Sequence, residues 1–133
     1  MKLTKGALAF FLFLNYLSPA SAETQYELNK AACDQLQKSD NSLNKVYQQV
    51  IARYKDDQTF ISQFTTAQKK WIAFRDAYVA SMYIPQYKES YGSVLPMCQC
   101  YMLEHITLDR IKQLQVWLDG VAEGDVCVGS VKS

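Results

Sequence analysis

From Thr24 to about Lys55 the chain carries neither glycine nor proline, and its apolar side chains return every three or four residues: Leu28, Ala31 or Ala32, Leu36, Leu43, Val46 or Tyr47, Val50 and Tyr54. A segment with that period and no helix breaker folds as an amphipathic α-helix whose apolar stripe must find a partner. Ser39-Asp40-Asn41-Ser42 are poor helix formers and good caps, and they invite a kink or a break midway. A polar stretch, Lys55 to Thr59, closes the segment. A second helix is predicted from near Thr59 to about Met82, with Phe60 or Ile61, Phe64, Ala67 or Gln68, Trp71, Phe74, Tyr78 and Met82 on its inner face. It should end before Pro85, which has no amide hydrogen and disfavours helical geometry in Ile84. Gln86 to Met97, with Gly92, Ser93 and Pro96, reads as a loop with room for one helical turn. A third helix begins near Met97, carries Tyr101, Leu103, Ile106 or Thr107, Arg110, Ile111, Leu114, Leu118 and Val121, and stops at Gly120 and Gly124. No stretch alternates as a strand does, so the predicted architecture is an all-α antiparallel bundle of three to four helices.

The N-terminus is of a different kind. Lys2 and Lys5 precede an apolar run from Ala7 to Leu14, and Ala20-Ser21-Ala22 forms a small-x-small cleavage signal. The run is shorter than the roughly 20 residues that span a bilayer. Residues 1–22 are therefore read as a cleaved signal peptide and residues 23–133 as one helical domain. No cysteine follows the cut directly, so no lipid anchor is expected, and the mature chain should be periplasmic or secreted with no stable membrane anchor. Removing 22 of 133 residues leaves 111, and with two lysines gone 12 cations face 13 anions, a charge of −1. So balanced a chain is not a nucleic-acid binder.

All four cysteines, Cys33, Cys98, Cys100 and Cys127, lie beyond the cut and reach an oxidising compartment. A Cys98–Cys100 bridge would close a strained ring. Two long-range bridges are expected instead: Cys33 with one of Cys98 and Cys100, and Cys127 with the other, tying the first helix to the third and pinning the tail.

Catalytic apparatus is not evident. The chain has one histidine, His105, no phosphate-binding glycine loop, no zinc-type spacing and no nucleophile elbow. Glu104, His105 and Asp109 read as ordinary helix-surface charges rather than a metal site. No cofactor, no metal and no enzymatic activity are expected.

Two segments carry more information. In Ala67-Gln68-Lys69-Lys70-Trp71-Ile72-Ala73-Phe74-Arg75-Asp76-Ala77, helical spacing turns Trp71, Phe74 and Tyr78 inward, while Gln68, Arg75 and Asp76 reach neighbouring groups; the reading is mainly structural. Tyr83 to Ser93 holds Tyr83, Tyr87, Lys88, Tyr91, Gly92 and Ser93. Tyrosine offers rigid amphipathic contact area, which suits a protein-binding loop. The other reading is that these rings complete the core.

Cys33, then Ser42-Leu43-Asn44-Lys45-Val46-Tyr47, then the tryptophan-centred stretch, Gly92-Ser93, and Cys100 ahead of Thr107 to Leu114 together resemble the family of small exported bacterial proteins named for the lysozyme inhibitor LprI. Asn44, Tyr47, Gln68, Trp71, Arg75, Asp76 and Arg110 match its motif residues. Where members commonly carry a cysteine after the Arg-Asp-Ala stretch, Tyr78-Val79-Ala80 stand here. The resemblance implies an exported helical module that binds a protein partner, a lysozyme or other peptidoglycan hydrolase, and blocks it sterically. Two other functions fit the residues: an envelope structural, stress or immunity-type protein that binds no lysozyme, and a redox or metal-handling protein using Cys98 and Cys100.

Overall fold

The computed structural model describes residues 23–132. The expected signal peptide lies outside the described residues. Helix α1 spans Gln25–Arg53, α2 Gln58–Met82, α3 Lys88–Tyr91 and α4 Leu95–Asp119, with 3-10 turns at Pro85–Tyr87 and Gly92–Val94. No strand occurs among the described residues.

Thr24 starts α1 with a capping box. Its hydroxyl accepts from the Glu27 amide at 3.3 Å, and its own amide donates to the Glu27 carboxylate at 2.7 Å. Of the kink or break expected at Ser39 to Ser42, no break forms, because these polar groups are used within and between helices. Ser39 is buried and donates to Glu104 at 3.3 Å, Asp40 receives a guanidinium from α2, and the Ser42 hydroxyl donates to the Lys38 carbonyl at 3.0 Å. Asp57 caps α2 by accepting from the Phe60 amide at 2.9 Å. The helix ends at Met82, where Ile84 takes the extended geometry that proline imposes on its predecessor.

α1 and α4 run parallel. Cys33 meets Cys100 near their starts, and the Arg53 guanidinium donates to the Leu118 carbonyl at 3.1 Å near their ends. α2 lies antiparallel to both, as the pairs Tyr47 with Thr65, Asp40 with Arg75, and Gln68 with Arg110 require. The expected all-α antiparallel bundle of three to four helices stapled by disulfides therefore holds in part. Among the described residues the most extensive backbone pairing is α1 with α4, α3 is a single turn, and α2 packs on that pair less closely, largely through long side chains.

The core gathers Leu43, Val50 and Tyr54 from α1 and its cap, Phe60 and Phe64 from α2, and Leu114 from α4. Its aromatic rings form a chain: Tyr54 to Phe60 at 4.3 Å, Phe60 to Phe64 at 5.1 Å, Phe64 to Trp117 at 5.3 Å. Such pairs add to the burial energy of their surface.

One disulfide is present, Cys33–Cys100, with Cα atoms 5.0 Å apart; Cys98 and Cys127 are free. The second expected bridge fails on distance. Cys98 stands in the first turn of α4, and at about 1.5 Å per helical residue the end of that helix lies roughly 30 Å away. The tail then stays at that far end, where Trp117 donates to the Ser130 hydroxyl at 3.1 Å and the Lys132 amide donates to the Tyr54 hydroxyl at 2.8 Å. Hydrogen bonds, not Cys127, pin it. The redox reading loses its dithiol, since Cys100 is bonded to Cys33.

Candidate functional site

Two places collect the residues singled out from the sequence. The first is a polar seam where all three long helices meet. Arg75 of α2 has a side chain only 13% exposed, and its Nη1 donates to Asp40 of α1 at 2.8 Å and to the Thr107 hydroxyl of α4 at 3.0 Å. Thr107, fully buried, donates in turn to the same Asp40 oxygen at 3.4 Å. The Arg75 Nε donates to Asp76 at 3.0 Å. One guanidinium thus joins three helices through charge-assisted bonds that a smaller cation could not all make.

Beside it, Arg110 of α4 donates from Nε to the buried Gln68 at 3.0 Å and from Nη1 to Gln113 at 3.0 Å. Burial pushes the Arg110 guanidinium below its ordinary value, and it remains a cation at any physiological pH. Both guanidiniums lie over the half-buried Trp71 ring, Arg75 at 5.4 Å and Arg110 at 5.6 Å. The indole is therefore engaged by cations, and the seam acts as a helix-joining element. Tyr47 stacks on Phe64 at 5.5 Å and shares a hydrogen bond with the Thr65 hydroxyl at 3.0 Å. Asn44 is exposed and lines a cleft of about 190 Å3 with Asp40, Gln68, Trp71 and Arg75.

Phe74 and Tyr78 do not face inward. They are 61% and 43% exposed, while Arg75 and Val79 take the inner positions. Phe60, Phe64 and Gln68 set the buried face in four-residue steps, and the turn that follows carries it to 75 and 79. Asp40 and Thr107, the seam's other two members, were missed as partners. Their signal was present: a carboxylate and a hydroxyl set at core-facing positions of otherwise apolar stripes.

The second place is the connection from α2 to α4. Tyr83 and Tyr91 are half-buried and meet edge to face at 5.8 Å, closing the base of the segment. The Asn29 amide of α1 holds that base by donating to the Ser93 carbonyl at 2.9 Å, and Gly92 takes φ 67°, a left-handed geometry that glycine adopts without strain. Between these anchors Tyr87 is 57% exposed and the Lys88 side chain 70% exposed, its nearest carboxylate being the open Glu89 at 4.0 Å. The tyrosines therefore divide: two build the base and one stands at the tip.

His105 and Asp109 approach to 3.8 Å on the open face of α4, and Asp109 also accepts from Lys112 at 2.9 Å. Lys112 first, and His105 after it, hold the Asp109 carboxyl below its ordinary value. No group of three or more potential metal ligands gathers among the described residues. Nor is any described helix long and apolar enough to cross a membrane.

A family model described as Lysozyme inhibitor LprI matches residues 18–114, which takes in α1, the seam, the α2 to α4 connection and α4 as far as Leu114. The chain belongs to the LprI family. No curated protein and no solved structure matches it. Both places described above fall inside the matched span.

Proposed function

We propose that this LprI-family chain is an exported inhibitor that blocks a lysozyme-type peptidoglycan hydrolase by seating the segment Tyr83 to Ser93 in its cleft. The observation that carries the reading is the family match across residues 18–114, which includes that segment. The geometry fits the task. A tip of Tyr87 and Lys88 projects from a base already fixed by Tyr83, Tyr91, Gly92 and the Asn29 bond, so little chain entropy is lost on binding. Glycoside hydrolases of this kind work with two carboxyl groups flanking the scissile bond. An ammonium placed between them pairs with the charge that the reaction needs, and a tyrosine beside it fills a subsite built for a sugar ring. Inhibition on this scheme is steric and requires no covalent step.

The decisive measurement is lysis of peptidoglycan by c-type, g-type and i-type lysozymes in the presence of purified residues 23–133. At least one type should be inhibited at micromolar excess. Failure against every type would overturn the proposal. Where inhibition is found, a Tyr87→Ala, Lys88→Ala double variant should weaken it at least tenfold with no change in melting temperature, and full inhibition by that variant would remove the loop from the scheme.

A further inference from the structure

The outer edge of α2 carries Phe74, Tyr78 and Met82 at four-residue steps, and they are 61%, 43% and 42% exposed. Four residues bring successive side chains to the same side of a helix, so the three form one stripe. The Phe74 and Tyr78 rings stack at 5.8 Å on this open surface and hold each other in a fixed orientation. Just past the helix end Ile84 and Tyr87 are also exposed, so large apolar side chains continue from the middle of α2 to the loop tip. A solvated single-domain surface rarely keeps so many aromatic groups together without a partner.

Charge and size indicate what that partner is. Lys70 lies one turn before Phe74 and Lys88 directly follows Tyr87, so a cation stands at each end of the aromatic row. Of the acidic neighbours, Asp76 is engaged by Arg75, and Glu89 is the one open carboxylate at the tip. A surface that is aromatic along its length and basic at its ends complements a groove lined for sugar rings and holding carboxylates. A tip of two residues is also too small for a stable complex, which covers about 800 Å² on each partner. Adding more than two turns of α2 supplies the missing area on a rigid element.

We propose that the Phe74, Tyr78 and Met82 stripe is the second half of the hydrolase-docking surface, continuous with the loop and lying along the groove whose carboxylates Lys88 meets. This rests on the inhibitor reading above and extends it from a loop to a helix face. The stripe acts through affinity and the tip through occlusion.

The test uses the lysozyme type that the wild-type chain inhibits, with binding followed by surface plasmon resonance and inhibition by lysis. A Phe74→Ser, Tyr78→Ser double variant should bind at least tenfold more weakly, chiefly through faster dissociation, with unchanged helicity and melting temperature. Wild-type affinity in that folded variant would overturn the stripe while leaving the inhibitor reading intact. Absence of inhibition by the wild type against every lysozyme type would overturn both. Sedimentation decides against a second copy as occupant: a wild-type dimer that the double variant converts to monomer would overturn the proposal. Should the double variant fail to fold, Met82→Lys at the helix end takes its place under the same threshold.

Discussion

At the scale of single residues, Arg75 is the side chain on which the most depends. It is nearly buried, it bonds Asp40 and Thr107 on two other helices, and it lies over Trp71. Removing it leaves Thr107 with one bond fewer and Asp40 without its cation. Asp40 is itself partly open to solvent, which screens the pair and limits the loss. Arg75→Ala should therefore destabilise by about 1–3 kcal/mol, measured as the fall in unfolding free energy in urea. Arg75→Lys should recover little of this, because one ammonium cannot serve Asp40, Thr107 and the indole face together. An unchanged midpoint in the alanine variant would show that the seam contributes no stability.

At the scale of elements, much of the helix pattern was legible and the staples were only partly so. The Gly- and Pro-free run predicted α1, and Pro85 predicted the end of α2, because both act through local backbone geometry. The placement of Phe74 and Tyr78 failed for a different reason. Hydrophobicity alone assigns an aromatic residue to the core, yet a guanidinium with three helices to join competes for the inner position and takes it. The pairing of Cys127 also lay beyond local rules, since it depends on which end of the bundle the tail occupies. Two measurements follow. Thiol titration of the folded protein should count two reactive groups, Cys98 and Cys127, where full pairing would give none. Cys33→Ser should cost about 2–4 kcal/mol, because the bridge closes a loop with a sequence separation of 67 between the parallel helices. The cap of α1 gives a pH effect of known sign. The Thr24 amide, and secondarily its hydroxyl, hold Glu27 below the ordinary value of 4.5. The folded state then binds that proton less tightly than the unfolded one, so the cap's contribution is complete above pH 4.5 and is lost as pH falls through the lower folded value. In Thr24→Ala, which removes the hydroxyl and keeps the amide, the Glu27 carboxyl should titrate closer to its ordinary value than in wild type by NMR while remaining below it, and a titration unchanged from wild type would remove the hydroxyl from the capping box.

At the scale of the whole molecule, the two ends of the bundle do different work. The end holding the starts of α1 and α4 carries the disulfide and the connection that presents Tyr87 and Lys88. The other end is closed by the tail. Lys132 donates its amide to the Tyr54 hydroxyl and sets its ammonium 4.5 Å from the centre of that ring, which is 1% exposed, while Ser130 accepts from Trp117. Gly120, at φ 78°, makes the turn that sends the tail back, and a Cβ there would approach the Lys132 carbonyl at 3.3 Å. The tail thus covers one face of an aromatic core that would otherwise meet water, and it lies past Leu114, where the family match stops. Deleting residues 121–133 should uncover Tyr54 and part of Trp117 and cost about 1.5–3 kcal/mol, the range for exposing one large side chain. Because α4 separates the two ends by roughly 1.5 Å for each of its residues, the deletion should leave lysozyme inhibition by the folded fraction unchanged. A truncated chain that melts lower and inhibits as before assigns the tail to stability, whereas one that melts as before but no longer inhibits would move the binding surface to the tail end.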